Sequence, residues 1–77
     1  MAEGLRCVVA VAAGLVTIVE IAPGAGTDSL GQLLVYRNLW QKEHIGEEPP
    51  KLMLITDVDR PDIRSVAESE GVEMIVV

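Results

Sequence analysis

The sequence predicts a small α/β domain with its elements in the order β-β-α-β-α-β, a mixed sheet carrying helices packed on it. Three observations lead there. Arg6 to Ala12 and Leu15 to Ala22 are apolar, largely β-branched runs of strand length. Glycine and proline punctuate the chain at Ala13-Gly14, Pro23-Gly24-Ala25-Gly26, Pro49-Pro50 and Gly71. Two stretches with helical spacing are each followed by another short apolar run, and strand-helix-strand units of this kind build parallel neighbours with right-handed crossovers.

Taken in order, Arg6 to Ala12 and Leu15 to Ala22 read as a hairpin closed at Ala13-Gly14. Both runs are apolar at nearly every position, which predicts burial on both faces. A helix is expected from about Ser29 to His44, capped by Thr27, Asp28 or Ser29, whose side-chain oxygens can accept a free first-turn amide. Leu30, Leu33, Leu34, Tyr36, Leu39 and Trp40 form its apolar arc, with Gln32 at the edge. Gly31, Asn38 and Lys42 lie on the other side. Glu47 to Pro50 reads as an exposed loop and Lys51 to Thr56 as a third strand. Pro61 suits the first turn of a second helix because its missing N–H costs nothing there. Ile63, Val66 and Ala67 make that helix's apolar face, Gly71 ends it, and Val72 to Val77 is the last strand, expected at an edge or interface.

Seventy-seven residues make a single domain, residues 1–77. A chain of this size buries only about 60% of its unfolded surface. With Cys7 the sole cysteine, no disulfide adds stability, so a homodimer or larger assembly is expected. A lone thiol also fits a reducing, cytoplasmic compartment, with Cys7 a small buried hydrophobe on its strand. Twelve acidic residues against six basic ones give a net charge of -6, with the basic residues scattered. That balance disfavours nucleic acid as a tight partner, since neutralised phosphates supply most of such affinity. A local site where a metal ion screens the carboxylates stays open. The apolar stretch from Leu5 to Ala22 is interrupted by Gly14, contains Glu20 and lacks a basic leader, so two strands explain it better than a membrane span or signal peptide.

The residues with most chemical content are Glu20, which ends the second apolar run in Val19-Glu20-Ile21-Ala22, and Gln32 and Tyr36, four apart on the next helix. This arrangement resembles the PD-(D/E)XK (restriction-endonuclease-like, RecB-like) nuclease superfamily, in which a strand ends in Glu-x-Lys and Gln-x-x-x-Tyr lies on the following helix. The resemblance spans Arg6 to about Thr56 and implies a restriction-endonuclease-like core lacking its first elements. It also implies a catalytic set of Glu20, Gln32 and Tyr36 and, in a working site, Mg2+ or Mn2+. Glu20 would be the metal ligand, Gln32 would orient substrate or metal-bound water, and Tyr36 would support both. Two family positions differ. Ala22 stands where the lysine belongs, and the first-strand aspartate would fall near Arg6 or Cys7, neither of which is a carboxylate. Loss of a ligand and the lysine together disables metal-assisted hydrolysis, unless other groups such as Asp28 or Arg37 move in. The resemblance therefore implies a degenerate nuclease-like domain acting as a dimeric binding or structural module. An active Mg2+-dependent nuclease with a rearranged site is one alternative.

Other readings of the same residues stay open. Glu20 at a strand end can reach solvent, Gln32 can bond a backbone group, and Tyr36 and Trp40 can be core or interface aromatics. Gly24 to Ser29 follows a strand and opens a helix, as a phosphate-binding loop does, making a nucleotide- or phosphate-binding α/β protein a further alternative. The third glycine of that pattern is Ser29, and Asp28 would place charge against the phosphate. Asp57, Asp59 and Asp62 lack the glycine and glutamate of a calcium loop, and Asp59 and Asp62 are read as capping the second helix. His44, near a helix end, has no second ligand beside it and suits the helix dipole.

Overall fold

The computed structural model describes residues 6–24 and 26–77, the side chains of residues 6–8 excepted. Its elements are β1 (Arg6–Ala12), β2 (Leu15–Ile21), α1 (Thr27–Glu43), β3 (Lys51–Thr56), α2 (Pro61–Ser69) and β4 (Val72–Val76). The expected β-β-α-β-α-β order and mixed sheet are present. The strands lie in the order β1-β2-β3-β4, with β1 antiparallel to β2 and the other pairs parallel. The expectations for Cys7 as a buried side chain and for the first five residues lie outside the described residues.

The β1–β2 hairpin turns on two residues, Ala13 at φ 54° and Gly14 at φ 79°. Left-handed conformations at both positions match the right-handed twist of the flanking strands. Glycine adopts this freely, whereas alanine carries a Cβ into the region at a cost of about 1–2 kcal/mol.

Strand periodicity then decides which side chains face inward. Ile18 and Glu20 on β2, Leu52, Leu54 and Thr56 on β3, and Val72 on β4 are buried. Leu30 and Leu33 from α1, and Ile63 and Ala67 from α2, complete this one core. α1 lies over β2 and β3, α2 over β4, and the two helices touch. The single core requires both helices on one face. The topology explains this: both crossovers step the same way across the sheet, so with a common right hand they land on the same side.

Several expectations change accordingly. β1 and β2 are not buried on both faces. Val9 and Val11 are 49% and 66% exposed, and Leu15 is 52% exposed. Two helices cover three strands on one face, and neither helix reaches β1 or the opposite face. α1 starts at Thr27, its N-cap is Gly26, and no side chain caps it. Thr27, Asp28 and Ser29 are already helical, and Ser29 is turned into the core. α2 has Arg60 as N-cap, also without a side-chain cap. Asp59 and Asp62 bind arginines instead: Arg64 Nε donates to Asp59 at 3.0 Å and Arg60 Nη2 to Asp62 at 2.9 Å. Within the apolar arc of α1, Leu30 and Leu33 are buried and Leu34 and Trp40 pack against the core, but Tyr36 and Leu39 stay exposed. Gly31 is half-buried, while Asn38 and Lys42 are exposed as expected.

Leu54 is fully buried on an inner strand. Leu54→Ala should lower the unfolding free energy by about 2–5 kcal/mol in urea titration, a large share of a marginal total. Ala13→Asn should raise it by a few tenths to about 1 kcal/mol in the same titration, since asparagine tolerates the left-handed turn better.

Candidate functional site

The carboxyl ends of β2 and β3 converge where their loops lead into α1 and α2. Ala22 N–H donates to the Ile55 carbonyl at 3.0 Å and Gly24 N–H donates to Asp57 Oδ1 at 2.8 Å. The Asp57 carboxylate thus ties the two loops together and already occupies one amide of the glycine turn. Arg60 lies against the start of α1, since a Cβ built on Gly26 would come 3.6 Å from its Nη1. Thr56 is buried beside this junction, and its Oγ1 accepts the Val58 N–H at 3.3 Å.

Glu20 stands one pleat back from the junction. Its side chain has no exposed surface, and neither carboxylate oxygen has a hydrogen-bond partner among the described residues. Its position follows from the strand. Ile18 and Ala22 face the helices, so a period of two sends Glu20 into the same layer. Its backbone register partners are Cys7 on β1 and Leu54 on β3. Burial pushes the carboxyl above its ordinary pKa, because desolvation penalises the charged form. Glu20 therefore does not reach solvent as a strand-end residue would.

The other two residues of the nuclease-like set lie on α1. Gln32 is half-buried. Tyr36 is 37% exposed and lines a shallow groove of about 170 Å³ with Val9, Ile18, Leu39, Trp40 and Glu43. The tyrosine thus approaches Ile18, one inward position before Glu20, at the uncovered margin of β1. Ala22, where the nuclease resemblance would expect a lysine, is fully buried. Arg37 is engaged elsewhere: Nη1 donates to the Glu70 carbonyl at 2.9 Å and Nη2 to Glu70 Oε1 at 3.2 Å, linking α1 to the end of α2. His44 stacks on Trp40 with ring centroids 3.8 Å apart, and its Nδ1 lies 2.9 Å from the Trp40 carbonyl oxygen.

Mg2+ and Mn2+ favour octahedral oxygen sets that retain several waters. Glu20 offers one carboxylate in a layer without solvent access, and no group of three or more His, Cys, Asp or Glu among the described residues could hold a metal ion. The described residues do not fit such an ion. The chain matches no known protein family, no curated protein and no solved structure.

Sequence reasoning found Glu20 but not its burial, and it missed the Asp57–Gly24 and Arg37–Glu70 links, which join residues 33 apart. Thr56 was within reach, since Leu52 and Leu54 inward imply Thr56 inward.

The buried carboxyl gives stability a defined pH dependence. With the folded pKa raised above the unfolded value of 4.5, the folded state keeps a proton that the unfolded state releases. The contribution is fully present below the unfolded value and is lost as pH rises towards the folded one, with a slope of up to about 1.4 kcal/mol per pH unit. Urea titrations at a series of pH values from 4 upward should show that decline in the wild type, whereas Glu20→Gln should remove it. Glu20→Leu should be more stable than the wild type at pH 8 by about 1–3 kcal/mol, because it leaves no polar atom unpaired.

Proposed function

We propose that this chain is a nuclease-like α/β module without efficient hydrolysis, which works by binding, as a dimer. The observation that carries this reading is Glu20, a carboxyl enclosed among apolar side chains and next on its strand face to a buried alanine. Metal-assisted hydrolysis needs an ionised ligand that water and phosphate can reach. A carboxyl buried away from water and phosphate, with Ala22 where a base would stand, supplies neither half of that chemistry. Tyr36 then acts as part of a surface: the groove beside Tyr36 and Trp40 is apolar, bordered by Glu43, and suited to an apolar segment of a protein partner rather than to a phosphate backbone. The net charge of -6 supports the same preference.

Incubating the purified protein with plasmid or single-stranded DNA and Mg2+ or Mn2+ tests the loss of hydrolysis. No metal-dependent cleavage above the protein-free control is expected, and Glu20→Ala should behave identically. Metal-dependent nicking that Glu20→Ala abolishes would sink the proposal.

A further inference from the structure

Among the described residues, nothing covers the face of the sheet opposite the helices. Leu15, Val19 and Ile21 on β2, Met53 and Ile55 on β3, and Ile75 on β4 alternate with the buried positions and so point away from the core. Val19, Met53, Ile55 and Ile75 are partly screened, Leu15 and Ile21 are exposed, and no described element packs on this side. Parallel strands in α/β proteins are almost always covered on both faces, and β2, β3 and β4 are parallel yet covered on one. An apolar surface of this extent on a soluble domain marks an interface.

Charge identifies the occupant. The described side chains on this face include one cation and one anion, Lys51 and Glu73. They border the same depression, together with Thr17 and Met53, and no ion pair among the described residues engages either of them. The acidic excess lies on the helices and their loops, at residues such as Asp28, Glu43, Glu47, Glu48 and Glu68. Two copies of a chain with net charge -6 therefore repel each other least through this face. One cation beside one anion is also self-complementary. A two-fold axis lying between two such faces, close to the pair, sets each lysine opposite the other copy's glutamate, the reciprocal pattern of an isologous interface.

We propose that the bare face is a homodimer interface, in which two copies pack sheet on sheet with Lys51 of each facing Glu73 of the other. The proposal rests on the dimeric part of the reading above and gives it a location. The expected last strand, β4, is indeed an edge, but the apolar surface lies on the sheet's face. Packing in the manner of a β-sandwich sets the sheets about 10 Å apart, with their strands about 30° off alignment. Four strands about 4.8 Å apart and about six residues long make a face of about 400 Å² in projection. The two faces together, about 800 Å² in projection, fall below the range of stable specific complexes, so association is weak and depends on concentration.

Sedimentation equilibrium from micromolar to millimolar protein tests this, with circular dichroism confirming that each variant is folded. The wild type should pass from monomer to dimer. Lys51→Glu and Glu73→Lys each place like charges opposite one another twice, and each should weaken association about tenfold or more, a change of at least about 1.4 kcal/mol. The double exchange should recover most of the loss. A dimer indifferent to both single changes overturns the face assignment and leaves the dimeric reading standing. A monomer at every concentration overturns both, and leaves the face to a different protein.

Discussion

The rest of the structure depends on one constraint, the handedness of its two crossovers. β2-α1-β3 and β3-α2-β4 step in the same direction across the sheet, so two right-handed turns lay both helices on one side. Everything inward on that side becomes core. Leu33, Leu54 and Ala67 are fully buried as a result, and Ile18, Leu30 and Ile63 nearly so. No described element covers the other side of the sheet, and neither helix reaches β1. A chain this short has no further described element to supply one.

Glu20 is a consequence of the same constraint. A carboxylate at that point of a solvent-facing strand would be unremarkable. Placed between Ile18 and Ala22 on the face that the helices cover, it has nowhere to ionise comfortably, and its raised pKa expresses that. Structure and chemistry point the same way: the acid behaves as part of the interior, and the alanine two residues on belongs to the same layer. The polar links that form nearby are used to hold loops and helices in place. Asp57 grips the Gly24 amide, and Arg37 reaches the end of α2, where a cation is favourable against the helix dipole.

Two kinds of apolar surface follow from the one-sided covering. The groove at Tyr36 and Trp40 lies where α1 stops short of β1 on the helix side. The broader face behind the sheet carries Lys51 and Glu73 in an otherwise apolar field. The first is shallow and bordered by an acid, Glu43. The second is wider, and its described side chains carry one charge of each sign, which is the basis for proposing a second copy as its occupant.

How much of this was legible beforehand varies with the range of the interaction. Short-range signals were enough for the element order and most boundaries: β-branched runs, a two-residue turn at Ala13-Gly14, Pro61 at a helix start and Gly71 after a helix end. They were also enough to pick out Glu20, Gln32 and Tyr36 as the residues worth following. They misjudged the caps of both helices, because Ser29 is drawn into the core and Asp59 and Asp62 are held by arginines. Apolar content alone suggested that β1 and β2 are buried on both faces, since a residue's hydrophobicity does not say whether another layer exists to cover it. Which way Glu20 points, which strands the helices reach and which face stays bare are set by the pairing of distant segments, and that pairing exists only once the sheet and its crossovers have formed.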